Sequence, residues 1–167
     1  GDLTISGKLD VPNGRGPFPA LVLAHGYIDP AYYVNGQGLM REQDWLARAG
    51  YVVLHTDYRG HADSDDIDPS YTLYDNALAY AMDSANAVLA VRAANLPNVQ
   101  AEKVGMLGHS MGGGVTLQIV RDWVLRFNAE GPDGLATRKA PGRAYGPERH
   151  RRRRRGPGRG AARRGGR

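Results

Sequence analysis

Residues 104–114 have the sequence Val-Gly-Met-Leu-Gly-His-Ser-Met-Gly-Gly-Gly, in which an apolar run leads into a Gly-x-Ser-x-Gly motif centred on Ser110. The apolar run predicts a buried strand, and the residues after the motif can form a helix. A Gly-x-Ser-x-Gly motif between a strand and a helix is typical of a nucleophile elbow, a tight turn that exposes the serine hydroxyl. We therefore predict that Ser110 is a nucleophile; the alternative is an ordinary glycine-rich turn between a strand and a helix.

The length and composition of the chain exclude several classes of site. The 167 residues suffice for one domain of moderate size, and the absence of cysteine excludes disulfides and thiolate metal sites. No run of about 18 apolar residues is present, so we predict no membrane-spanning segment and no membrane partner. The chain begins at Gly1 rather than Met, so we expect a processed or trimmed product, and we favour export from a bacterial cell as its localisation.

The formal net charge of +5 averages two unlike parts of the chain. Residues 1–127 contain 9 Lys and Arg against 14 Asp and Glu, whereas residues 128–167 contain 13 against 3. The second part has only Leu135 and Tyr145 as sizeable apolar side chains, too few to offset the entropy lost on ordering. We predict a folded body at 1–127 and a disordered, Arg-, Gly- and Pro-rich tail at 128–167. Its arginine run has no interleaved aromatic side chain to stack on bases, so we expect nucleic-acid binding, if any, only through charge in this tail.

The periodicity of apolar residues predicts alternating strands and helices in the body. Thr4–Val11 alternates apolar and polar residues, which is typical of a half-exposed antiparallel strand. Three largely apolar segments predict strands covered on both faces: Ala20–Ala24, Tyr51–Thr56 and Val104–Leu107. The predicted helices are Leu39–Ala49, Tyr71–Ala94 and the segment after Ser110, with Asn95–Glu102 as a connector. This order indicates an α/β fold with a mainly parallel sheet and flanking helices.

Polar segments follow the three predicted buried strands at their carboxyl ends. These segments are His25-Gly26-Tyr27, residues 57–64 and the turn at Ser110. In open sheets of parallel strands, binding and catalytic sites lie at this edge. The order of the elements therefore predicts a site there, independently of the serine motif.

Three motifs within about residues 1–120 resemble those of the α/β-hydrolase superfamily. Residues 21–27, Leu-Val-Leu-Ala-His-Gly-Tyr, are similar to its oxyanion strand and loop. Residues 57–64, Asp-Tyr-Arg-Gly-His-Ala-Asp-Ser, resemble the Asp-Tyr-Arg-Gly-x-Gly-x-Ser loop of the prolyl-oligopeptidase-like and dienelactone-hydrolase-like branch, with Ala62 replacing the second glycine. The elbow at 108–114 is also similar to that of bacterial cutinases, which cleave polyesters.

The resemblance implies a serine hydrolase that forms an acyl-enzyme on Ser110 and requires no cofactor. The backbone N–H groups of Tyr27 and Met111 would form the oxyanion hole, and His25 would hold the oxyanion loop by a side-chain hydrogen bond. The Tyr27 ring either lines the acyl pocket or is an ordinary loop aromatic. The other supporting residues of the two loops would be Gly26, Gly108, His109 and Gly112.

The remaining histidines and acidic residues are expected to have no catalytic role. His55 lies in a predicted strand and should be packed, whereas His61 lies in a polar loop and should be solvated. His109 is too close in sequence to the serine to act as its base. We expect no metal site, because the acidic residues of the loop should be solvated: Asp63, Asp65, Asp66 and Asp68.

The acid and base of a catalytic triad are not visible in the sequence. In this superfamily both follow the nucleophile, each in a loop after a later strand. Asp133 and His150 have the right order, but no strand pattern precedes either residue. The tail consists largely of amino acids with GC-rich codons, so we hypothesise that the reading frame of an ordinary hydrolase is lost between about Val120 and Glu130.

These observations leave three classes of function open. The first is a hydrolase of small carboxylic esters, with a serine peptidase of the prolyl-oligopeptidase-like branch as its alternative. The second is an inactive, truncated hydrolase fragment, and the third is a nucleic-acid-binding protein with a basic tail. The ester hydrolase is favoured, because no propeller or other peptide-gating domain is present in the sequence.

The frame hypothesis makes a prediction about the gene. A shift of one or two nucleotides after the codon for residue 120 should restore a continuation with strands, an aspartate and a histidine. Sequencing of the DNA and translation in the other two frames provide the measurement. Absence of a hydrolase-like continuation in either frame would contradict the hypothesis.

Overall fold

A computed structural model of the chain describes residues 3–135. Four strands and three helices alternate over this range, as predicted. They are β1 (Gly7–Asp10), β2 (Phe18–Ala24), α1 (Met40–Arg48), β3 (Val52–Thr56), α2 (Leu73–Ala93), β4 (Val99–Gly108) and α3 (Met111–Glu130), with short 3-10 turns at Pro30–Tyr32 and Gly131–Leu135. No helix in this range is both long and apolar enough to cross a membrane.

The strands form one sheet in the order β1-β3-β2-β4. β2 pairs in parallel with β3 and with β4, whereas β1 pairs antiparallel with β3. The predicted mainly parallel sheet with an antiparallel first strand is therefore confirmed. β4 begins at Val99 rather than at the predicted Val104, because Val99 already pairs with Phe18 ahead of a register shift. That shift interrupts the apolar pattern and explains why the sequence indicated a connector there.

Helices cover both faces of the sheet, and alternate residues of β2 divide the core between them. Ala20, Val22 and Ala24 pack with residues of α2 or α3, whereas Leu23 packs with Leu39 and with Leu46 of α1. This period of two is what an extended strand requires when both of its faces are buried. The resulting layers hold the carboxyl ends of β2, β3 and β4 at one edge of the sheet.

α3 continues past the predicted end of the folded body at residue 127. The helix ends at Glu130, and the Gly131 N–H donates to the Phe127 carbonyl at a positive φ of 64°. A glycine tolerates this conformation, so it is a favourable place for a helix to end. Residues 128–130 therefore lie in α3, and residues 131–135 form a short 3-10 turn. The prediction for 136–167, including His150, lies outside the described residues.

The start of α3 packs directly on the end of β2, and two glycines make this approach possible. A Cβ on Gly112 would overlap the carbonyl oxygen of Ala24, and a Cβ on Gly108 would overlap the carbonyl oxygen of Gly112. In contrast, a Cβ on Gly114 would meet nothing within 4 Å. Close packing of α3 on β2 therefore requires glycine at positions 108 and 112 but not at position 114.

This difference predicts opposite effects of two alanine substitutions in the first turn of α3. Gly112→Ala should lower the free energy of unfolding by about 3 kcal/mol, because the helix must move away from β2. Gly114→Ala is the matched control and should leave stability unchanged or raise it by up to about 1 kcal/mol through helix propensity. Urea denaturation of both variants measures the effect, and equal midpoints would contradict the inferred contact.

Candidate active site

Ser110 occupies a strained turn between β4 and α3. Its backbone has φ 52° and ψ −117°, a conformation that non-glycine residues seldom adopt. The residue is exposed, and its carbonyl accepts hydrogen bonds from the N–H groups of Gly113 and Gly114 at 3.0 and 3.3 Å. Met111 is the first residue of α3, so its N–H has no acceptor within the helix. This is the geometry that the strand-turn-helix pattern predicted for an elbow.

The loop after β2 lies directly beside this turn. The His109 N–H donates to the Ala24 carbonyl at 3.1 Å. A Cβ placed on Gly26 would lie 3.3 Å from the Cβ of Ser110 and 3.1 Å from Nδ1 of His109. The first and third sequence motifs therefore meet, with the Gly26–Tyr27 peptide next to the serine. The side chain of Tyr27 is 72% exposed, which fits an ordinary loop aromatic better than a buried pocket wall.

His25 is completely buried and faces its own loop rather than the serine. Its Nδ1 donates to the Gly26 carbonyl at 2.7 Å, so the His25 side chain holds the loop that follows β2. The ring stacks on Tyr33 at 4.7 Å and lies 4.3 Å from the Tyr58 ring. Burial lowers the pKa of His25 below its usual value, which favours the neutral imidazole.

The other two histidines of the sheet edge are also buried. His55 lies in β3 as expected, and neither ring nitrogen has a hydrogen-bond partner within residues 3–135. The expectation of a solvated His61 is wrong, because the residue is 1% exposed and its ring nitrogens lie 3.1 Å from the Arg59 carbonyl and 3.3 Å from the Ile28 carbonyl. No histidine of the described segment hydrogen-bonds to the hydroxyl of Ser110.

Asp133 is not brought to the serine. It follows the far end of α3, a helix of 20 residues. At 1.5 Å per residue the helix separates the two ends by about 30 Å. Asp133 therefore cannot reach an acid position in a triad that includes Ser110 in this structure. Neither an acid nor a base that could act with Ser110 is identified within residues 3–135.

The acidic loop residues make local hydrogen bonds. Asp65 accepts from the Thr4 N–H at 2.7 Å, and Asp68 accepts from the N–H and hydroxyl of Ser70 at 2.9 and 2.7 Å. Among the residues with described positions, no group of three or more His, Asp or Glu side chains has an arrangement that could hold a metal ion.

Asp57 and Arg59 have structural roles that the sequence did not reveal. Asp57 is fully buried and accepts four hydrogen bonds at 2.6–3.0 Å, from the Tyr33 hydroxyl, the Asn35 amide, the Gly36 N–H and the Ser6 hydroxyl. Burial raises the pKa of this carboxyl, but these hydrogen bonds outweigh it and keep the pKa below its usual value. Arg59 pairs with the buried Asp83 of α2 at 2.6 Å. The pattern of apolar residues in α2 gave no signal that Asp83 would be buried.

Known proteins that are similar to this chain have an α/β-hydrolase fold. A model of the family described as serine aminopeptidase, S33, matches residues 16–129. Among solved structures, the α/β hydrolase GrgF from Penicillium sp. sh18 is 28% identical with a TM-score of 0.57, over 70% of this chain and 37% of that chain. The rice cell wall degrading esterase LipA from Xanthomonas oryzae is 25% identical with a TM-score of 0.53, over 77% of this chain and 34% of that chain.

A shorter match is to an uncharacterized protein, y4pG/y4sC, of Sinorhizobium fredii (strain NBRC 101917 / NGR234). It is 83% identical over 30 residues, which are 18% of this chain and 16% of that protein. The matched segments therefore cover well under half the length of each of these three proteins.

Because His55 is buried, we predict that the free energy of unfolding depends on pH. Burial, followed by the neighbouring His25 ring, lowers the pKa of His55 from 6.5 to about 4. The unfolded chain then binds more protons than the native chain between these values, so stability should fall as the pH falls from 6.5 towards 4, by about 3 kcal/mol from this residue. His55→Leu should flatten this part of the curve. Urea denaturation between pH 4 and 7.5 measures it, and parallel curves for the variant and the parent would contradict the prediction.

Proposed function

The chain belongs to the serine aminopeptidase S33 family of the α/β-hydrolase superfamily, and we propose that it is a serine hydrolase that cleaves carboxylic esters through an acyl-enzyme on Ser110. The single observation that carries this proposal is the strained, exposed Ser110 at the start of α3, with the Gly26–Tyr27 peptide beside it. Residues with a strained backbone occur mainly at functional sites. The conformational strain costs free energy, so it persists only where the surrounding packing holds the residue in place.

The proposed reaction is transfer of the acyl group of the ester to the Ser110 hydroxyl, followed by hydrolysis. The Ser110 hydroxyl attacks the ester carbonyl while a general base accepts its proton, and the carbonyl oxygen becomes an oxyanion. The Met111 N–H at the helix start and the Tyr27 N–H are the proposed donors to that oxyanion. The alcohol then leaves with a proton, an acyl group stays on Ser110, and water releases it as the acid. The proposal assigns neither the base nor the triad acid to a residue of 3–135.

An ester is favoured as the substrate over a peptide. The similarity to the esterase LipA supports an ester, whereas the description of the S33 family supports an aminopeptidase. The prolyl-oligopeptidase-like and dienelactone-hydrolase-like branch stays a prediction from the loop at 57–64. Parallel assays with p-nitrophenyl esters and aminoacyl p-nitroanilides distinguish the two substrate classes, since both substrates release a coloured product but differ in the bond that is cleaved.

Replacement of the nucleophile tests the proposal. A fluorophosphonate probe should label the full chain, and Ser110→Ala should abolish the labelling, because the phosphonyl group needs an activated hydroxyl. Ser70→Ala is the matched control, since Ser70 is an exposed loop serine. This variant should be labelled at the same rate as the parent chain. Intact-mass spectrometry measures the adduct. Labelling that persists in Ser110→Ala, or that is absent from the parent chain, would contradict the proposal.

A further inference from the structure

The orientation of the Gly26–Tyr27 peptide depends on the ring of His25. Within residues 3–135 the only cis peptide bond is Gly16–Pro17, so this peptide is trans. In a planar trans peptide the carbonyl oxygen and the N–H point in opposite directions. His25 Nδ1 holds the Gly26 carbonyl at 2.7 Å, and this contact also determines where the Tyr27 N–H points. Donation to the carbonyl further polarises the peptide and makes its N–H a stronger donor.

The His25 ring is itself packed against two tyrosine rings. Tyr33 stacks on it with an interplanar angle of 24°, and Tyr58 lies against it at 31°. The Tyr58 hydroxyl also donates to the His25 carbonyl at 3.1 Å. Beyond it, the Tyr58 ring stacks at 4.7 Å on Tyr80 of α2. The imidazole can therefore rotate only if one of these rings moves.

The backbone N–H of Tyr33 donates to the Pro30 carbonyl at 3.4 Å, and a hydrogen bond to Asp57 holds the Tyr33 side chain. Its hydroxyl donates to Oδ1 of Asp57 at 2.6 Å, a short bond to an ionised carboxylate. Asn35 and Gly36 donate to the same carboxylate, so Asp57 holds the whole loop that carries Tyr33. The carboxylate is attached to the end of β3, a rigid central strand.

From these contacts we infer that Asp57 and Tyr33 are positioning residues for the oxyanion hole, acting through the His25 ring on the Gly26–Tyr27 peptide. The inference rests on the proposed function, because it takes the Tyr27 N–H as an oxyanion donor. Neither side chain is hydrogen-bonded to Ser110. Their effect is to hold one imidazole in the tautomer and rotamer that keep the Gly26 carbonyl turned away from the site.

Tyr33→Phe in the full chain tests the inference, since it keeps the ring and removes only the bond to Asp57. We expect the Nδ1 proton of His25, observed in a long-range 1H–15N spectrum of the ring, to exchange about tenfold faster, as loss of a hydrogen bond to a charged group predicts. The maximal rate of fluorophosphonate labelling should fall about tenfold, with the half-saturating probe concentration within about twofold, because the oxyanion forms only in the transition state.

Tyr32→Phe is the matched control, because Tyr32 is the neighbouring tyrosine and is 79% exposed. It should change neither the spectrum nor the labelling. Asp57→Asn should reproduce the effect of Tyr33→Phe, and the double variant should be no worse than Asp57→Asn alone, as expected for two residues that act in series. Asp57 also holds Ser6 and Gly36, so Tyr33→Phe decides the matter if Asp57→Asn does not fold.

Two results would overturn the inference. One is a Tyr33→Phe variant whose His25 proton and labelling rate match those of Tyr32→Phe. The other is an equal increase of amide exchange throughout β2 and β3, which would indicate general loosening rather than positioning. If the parent chain is not labelled at Ser110, the proposed function fails, while the His25 spectrum alone still decides whether Asp57 and Tyr33 hold the ring.

Discussion

The close approach of α3 to the carboxyl end of β2 is the constraint on which the site depends. In the β2–β4 pairing Ala24 lies opposite Gly108, so the two strands end at the same level. α3 begins three residues later and must pass over the last carbonyls of β2, where only a hydrogen atom fits at position 112. This crossing forces the chain through the strained conformation of Ser110 and places it against Gly26.

A second constraint is that the polar side chains at this edge bind to other groups of the protein. Asp57, His25 and His61 are buried, and a buried charge or imidazole is tolerated only where partners replace water. Four donors surround Asp57, and Arg59 with Asp83 ties the same loop to α2. These side chains hold the loops, and none of them is hydrogen-bonded to Ser110. The proposed chemistry accordingly relies on backbone donors around one side-chain nucleophile.

Individual residues show where sequence patterns succeed and where they fail. The apolar runs of β2 and β3 identify strands because both faces of the sheet are covered, and the glycines around Ser110 identify the turn. α1 is less predictable: it buries Gln43 and Leu46, whereas Trp45 is 68% exposed. Gln43 can be buried because its amide donates to the Gly36 carbonyl, a partner seven residues away in a loop. Periodicity carries no information about such partners, and the same reason explains the burial of His61.

The sequence by itself determined the order of strands and helices, the mainly parallel sheet and the edge at which the three motifs meet. These features follow from the local periodicity of apolar residues, which can be read from the sequence, and from the general right-handedness of strand-helix-strand connections. Only the tertiary structure decided which polar groups hold the loops at this edge. Those roles depend on distances between segments such as Tyr33 and Asp57, 24 residues apart, and on burial that arises only when the layers pack.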